Sequence, residues 1–86
     1  MFDLTEKRVL ITGASGGIGE HLAKAFFESG TEVILTGTRE AKLISVQKEF
    51  GNKCKVFKCD LMDNTSVNDL IDFIAECGGV DILVNN

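Results

Sequence analysis

Between Leu10 and Gly19 the chain reads LITGASGGIG, an apolar run followed by four glycines within seven residues and then a helical pattern. Glycine loses more freedom on folding than any other residue, so such a cluster marks a junction where backbone geometry matters more than local stability. The run Arg8 to Thr12, RVLIT, reads as a buried strand, and a helix is expected to begin near Ile18. The turn from Gly13 to Gly17 then lies at the carboxyl end of a strand, where a helix N-terminus presents unpaired N–H groups suited to a phosphate. The glycines are expected to serve different ends. Gly13 makes the sharp turn, Gly16 or Gly17 lets backbone approach a pyrophosphate, and Gly19 lets helix and strand pack closely. A Walker-type loop is excluded, since it needs Lys and then Ser or Thr after its last glycine, and this chain has Glu20 and His21 there. Dinucleotide binding is the reading that remains.

The rest of the chain supplies the context this reading requires. EVILT (Glu32 to Thr36) and DILV (Asp81 to Val84) read as buried strands, and KVFKC (Lys55 to Cys59) as a strand nearer a sheet edge. The first helix is expected to bury Ile18, Leu22, Ala25, Phe26 and Ser29 and to stop at Gly30. The second carries Leu43, Val46, Gln47 and Phe50 on one stripe before Gly51. The third, capped by Asp63 or Asn64, carries Val67, Leu70, Ile71 and Ile74 before Gly78 and Gly79. Alternating strands and helices of this kind give an α/β fold with a doubly wound parallel sheet, strand order 3-2-1-4, the N-terminal half of a Rossmann fold.

A chain of 86 residues holds at most one domain, here the dinucleotide-binding N-terminal part of one, spanning residues 1–86. Its net charge of -4, with no basic run, excludes nucleic acid as an expected partner. No apolar stretch approaches the ~20 residues of a membrane helix, and the start MFDLTEKR lacks an apolar signal core, so a cytoplasmic protein is expected. Cys54, Cys59 and Cys77 show neither disulfide nor zinc spacing and read as buried thiols, the first two on opposite faces of one strand. His21 reads as a surface residue.

Specificity is sought at the end of the second strand, where an NAD site places a carboxylate on the ribose hydroxyls. Here LTGTRE offers Gly37 and Thr38, then Arg39, which leaves a cation in reach of a 2′-phosphate and favours NADP over NAD. A charge-assisted hydrogen bond there contributes roughly 1.5–3 kcal/mol. The structural alternative is that Arg39 opens a solvated helix, with Glu40 neutralising it. Asp60, ending the third strand, can accept from an adenine amino group or cap the helix that follows. Asn85 and Asn86 leave the fourth strand toward the same crevice.

TGASGGIG, CDL and DILVNN, taken together, resemble the first half of a classical short-chain dehydrogenase/reductase, with the match spanning nearly all of the chain. Within that family the sequence is most similar to bacterial 3-oxoacyl-[acyl-carrier-protein] reductases, which implies an NADPH-dependent carbonyl reductase of fatty acid synthesis. The resemblance implies that Gly13, Ala14, Ser15, Gly16, Gly17, Ile18 and Gly19 hold the cofactor phosphates, with Thr38 at the 2′-phosphate. It further implies that Asp60 and the Leu61 backbone bracket the adenine and that Asn86 lies near the nicotinamide-side ribose. One departure is Gly16, where NADP-dependent relatives often carry a basic residue, so NADP preference would rest on Thr38 and Arg39. The family's catalytic serine, tyrosine and lysine fall beyond Asn86, and this chain has no tyrosine at all, so no catalytic residue is expected within it. A small-molecule or acyl-carrier-protein-bound substrate, and a homo-oligomer formed through further sequence, are the implied partners. An exposed edge at Ile82 to Val84 agrees with a longer polypeptide. The alternatives are a family member acting on a sugar, steroid or alcohol, and a non-catalytic NAD(P)-sensing module.

Overall fold

Strands and helices alternate without exception along residues 4–86, the part of the chain that the computed structural model describes. They are β1 (Arg8–Thr12), α1 (Gly17–Glu28), β2 (Glu32–Gly37), α2 (Glu40–Phe50), β3 (Cys54–Lys58), α3 (Asn64–Glu76) and β4 (Ile82–Asn85), with a short 3-10 turn at Gly51–Lys53 before β3. The sheet is parallel throughout, and its order β3-β2-β1-β4 is the one the sequence predicts.

Register turns the apolar runs into rows across the sheet. Cys54, Val33, Val9 and Ile82 stand side by side, as do Val56, Leu35, Ile11 and Val84. Because strand side chains alternate, both rows share one face, and α1 and α2 cover it with Ala23, Leu43 and Val46. Each aliphatic side chain fully buried here contributes about 1.5–3 kcal/mol, which makes these rows the stabilising centre. The opposite face carries Leu10, Ile34 and Phe57, and α3 packs there through buried Leu70 and through Phe73, whose ring centroid lies 4.8 Å from that of Phe57. On that face Leu83 of the outer strand β4 remains 62% exposed.

Two helical faces differ from expectation. In α1 the buried residues are Gly19 and Ala23, with Leu22, Phe26 and Phe27 packed beside them, whereas Ile18 is 70% exposed and Ala25 is also exposed. The helix is seated by its smallest residues, because the bare Cα of Gly19 permits a closer approach than any larger side chain. In α3 Leu70 is buried and Val67 and Ile74 are half-buried, but Ile71 is 55% exposed and Phe73 takes its place against the sheet. The stripe of α2 is as expected: Leu43 and Val46 are buried, Gln47 Nε2 donates to the Cys54 carbonyl at 2.9 Å, and Phe50 meets Phe27 at 4.9 Å. Cys59 falls just past β3, so the two buried cysteines do not share a regular strand. Gly30 and Gly51 end their helices with φ of 86° and 68°, and the Asp63 carboxylate caps α3 by accepting from the Thr65 N–H at 3.0 Å.

At the amino end of the sheet, Arg8 ties β1 to β2 and to the segment that leads into β4. Its Nε donates to Glu32 Oε1 at 3.0 Å and its Nη1 to the Gly79 carbonyl at 2.8 Å, while its backbone N–H donates to Asp81 Oδ2 at 2.9 Å. The hydrogen bond from Arg8, with its charge, holds the Glu32 carboxyl below its ordinary value of 4.5. A lowered carboxylate pKa contributes stability that is full above the unfolded value and is lost as pH falls through the folded one. Chemical denaturation between about pH 7 and about pH 3 should therefore show wild type losing stability in acid more steeply than Glu32→Gln, the difference closing below the lowered pKa. Burial pushes the Cys54 thiol up to about 11, so in the native state it should react with a thiol reagent far more slowly than half-exposed Cys77.

Candidate functional site

The glycine turn connects the carboxyl end of β1 to α1 and is fixed from inside the fold. Gly13 has φ of 61°, and a Cβ on it would stand 2.7 Å from the carbonyl oxygen of Asn86. A Cβ on Gly19 would stand 2.5 Å from Ala14 Cα, so α1 is packed against the turn itself, where the sequence suggested a helix-to-strand contact. The other two glycines face open space: the nearest atom to a Cβ on Gly16 is 4.0 Å away, and around Gly17 nothing lies within 4 Å. Gly16 is the N-cap of α1 and provides no side-chain cap. The first-turn N–H groups of α1 are thus free of a side-chain cap and available to an anion. These features fit a cofactor diphosphate.

Beside the turn, the ends of three strands enclose a cleft of about 240 Å³. It brings together Gly13 and Ser15 from the turn, Thr38 after β2, and Asp60 and Leu61 after β3, five of the residues expected from the sequence to bind the cofactor. Asp60 Oδ1 accepts from the Met62 N–H at 2.9 Å, so this carboxylate shapes its own turn while Asp63 does the capping. Arg39 stands at the N-cap of α2 and reaches back to the turn, its Nη2 donating to the Ser15 carbonyl at 2.9 Å. Among the described residues Arg39 forms no ion pair with Glu40.

The remaining expected residues lie outside the cleft. Ala14 is fully buried and its N–H donates to the Thr36 carbonyl at 2.9 Å. Gly17 and Ile18 border a separate apolar groove of about 510 Å³ along α1, with His21 and Leu22. Asn86 binds the base of the turn: its Nδ2 donates to the Gly13 carbonyl at 3.1 Å and its backbone N–H to Thr12 Oγ1 at 3.2 Å. Thr36 and Cys59 also line the cleft, although the sequence alone does not mark them as binding residues, and so does Gly37, which the sequence offers beside Thr38. For Gly37 a signal exists: Thr36-Gly37 repeats at the end of β2 the Thr12-Gly13 pair that ends β1. A Cβ on Gly37 would lie 2.7 Å from Ser15 Oγ, so this glycine makes room for the turn. No cluster of metal-binding side chains occurs among the described residues, and none of their helices is long and apolar enough to cross a membrane.

Comparison with known proteins places this geometry in a family. The family profile described as short chain dehydrogenase matches residues 7–86. Nodulation protein G of a Rhizobium species is 45% identical over 100% of this chain and 36% of its own length. The 3-oxoacyl-[acyl-carrier-protein] reductase of Rickettsia conorii is 41% identical over 100% of this chain and 34% of its own length. Among solved structures, the 3-ketoacyl-(acyl-carrier-protein) reductase of Brucella melitensis, complexed with NADH, superposes with a TM-score of 0.87 at 32% identity, covering 93% of this chain and 33% of that one. The chain spans about a third of the length of the curated relatives it matches.

Substitutions separate the two kinds of glycine. Gly19→Ala forces a side chain into Ala14 and should cost about 1–3 kcal/mol. Gly17→Ala meets open space and should leave stability unchanged or raise it by up to about 1 kcal/mol. Urea titrations of both variants check this, and a marked loss of stability in Gly17→Ala would contradict the assignment of free space above the turn.

Proposed function

The chain belongs to the short chain dehydrogenase family, and on that premise we propose that it forms the cofactor-binding part of a cytoplasmic NADPH-dependent carbonyl reductase whose substrate is a 3-oxoacyl group on acyl carrier protein. The observation that carries the reading is the convergence of the glycine turn, Thr38 and Asp60 on one cleft, with the Arg39 guanidinium bonded to that turn. When bound, the nicotinamide cofactor supplies the hydride for the carbonyl carbon. This chain's residues bind and orient: the N–H groups at the start of α1 take the diphosphate, and the Thr38 hydroxyl and Arg39 guanidinium take the 2′-phosphate. The carboxylate oxygen of Asp60 not engaged by Met62 accepts from the adenine amino group, and the Leu61 backbone flanks the ring. Asn86 holds Gly13 at the side toward the nicotinamide ribose. Proton delivery, substrate binding and homo-oligomer contacts belong to sequence outside these residues.

The carrier-protein substrate is supported by the names of the Rickettsia and Brucella relatives. A second reading, NADH as the working cofactor, is favoured by the NADH in the Brucella complex and by the absence of a cation at Gly16. Fluorescence titration of the intact polypeptide decides between them. NADPH should bind at least about tenfold more tightly than NADH, and Thr38→Asp, which sets a carboxylate against the 2′-phosphate, should reverse the order. Tighter NADH binding by wild type would establish the second reading, and binding of neither would remove the cofactor role. Tight NADPH binding without turnover of 3-oxoacyl thioesters would point to another carbonyl substrate or to a cofactor-sensing protein.

A further inference from the structure

The junction between β2 and α2 grips the glycine turn at successive points. The Thr36 carbonyl accepts the Ala14 N–H, bare Gly37 makes room for Ser15, and the Arg39 guanidinium holds the Ser15 carbonyl at 2.9 Å. In a trans peptide the N–H points opposite to the C=O, so fixing the Ser15 carbonyl toward Arg39 also fixes the Gly16 N–H pointing away from it. That N–H has no protein acceptor among the described residues, and it stands at the N-cap of α1, where the space is open. A charged donor on the carbonyl polarises the peptide and strengthens its N–H as a donor. Four of the five guanidinium N–H donors remain for other partners.

We propose that Arg39 is a positioning residue for the anion-binding turn: through the Ser15 carbonyl it orients and strengthens the Gly16 N–H, and so supports binding of the diphosphate common to NADH and NADPH, apart from any contact with a 2′-phosphate. The proposal rests on the cofactor reading given above for its ligand, while the grip on Ser15 is independent of it. Lys at position 39 keeps a charged N–H donor of nearly the same reach for the Ser15 carbonyl, and Ala supplies none.

The test uses the full chain, with adenosine 5′-diphosphate, NADH and NADPH as probes in calorimetric titrations, together with backbone amide order parameters of residues 15–17, measured without ligand by nuclear relaxation. Arg39→Ala should weaken adenosine diphosphate and NADH by a similar factor, about five- to tenfold, and lower the order parameters of the turn while the melting temperature holds. Arg39→Lys should recover the order of the turn and most of the binding of these two probes. Loss of NADPH affinity alone in Arg39→Ala, with the other two probes and the order parameters unchanged, would overturn the proposal. If wild type binds none of the probes, the cofactor reading fails, and the order parameters alone decide the grip: a drop in Arg39→Ala upholds it, and unchanged values end it.

Discussion

Gly19 lets α1 settle onto the backbone of Ala14 at a separation that a single methyl group would prevent. That approach fixes the tilt of the helix, and with it the direction in which its free N–H groups point. It also explains why Ala23 lies flat on the sheet and why Ile18 is turned outward. Once the helix is seated, the turn between it and β1 has little freedom left. Gly13 is held from one side by Asn86 of β4's carboxyl end, and Ser15 from the other by Gly37 and Arg39. The turn is therefore shaped by the two strands that flank β1 as much as by its own glycines.

The two ends of the sheet are built on different principles. At the amino end, charged side chains tie the strands: the Arg8 guanidinium and backbone engage Glu32, Gly79 and Asp81, and Lys55 approaches Glu32 at 3.8 Å. At the carboxyl end most restraints run through backbone carbonyls and missing side chains, which leaves the Thr38 and Asp60 side chains exposed to a ligand. At the amino end the charges bond to one another, and at the carboxyl end Arg39 and Asp60 bond only to backbone groups. Between them the two aliphatic rows hold a rigid platform, so the positions of the strand ends follow from register alone.

Strand order and the place of the cleft are legible in the sequence because they depend on long patterns: alternating strands and helices, and glycines at a strand end. The faces of α1 and α3 are not, since periodicity weighs residues by size while the packing of α1 is decided by the residue with no side chain. The part of Gly37 in making room for the turn is hidden for a related reason. Its role depends on Ser15, which lies across the turn and is brought near only by strand pairing. Arg39 stands out by its charge, but its bond to the Ser15 carbonyl depends on how two separate strand-to-helix turns stand side by side, which no local pattern encodes.

The central position of β1 also orders events in time. Arg8 meets Glu32 across 24 residues of chain but meets Asp81 across 73, so pairing with β4 closes a loop about three times longer and costs roughly 1 kcal/mol more in chain entropy. During synthesis β1, β2 and β3 can pair while β4 is still being made. One edge of β1, carrying Val9 and Ile11, then waits unpaired until the last strand arrives. A nascent chain at that stage exposes one edge of a strand that is buried once β4 pairs with it, and a chaperone that shields strand edges has its greatest effect in that interval.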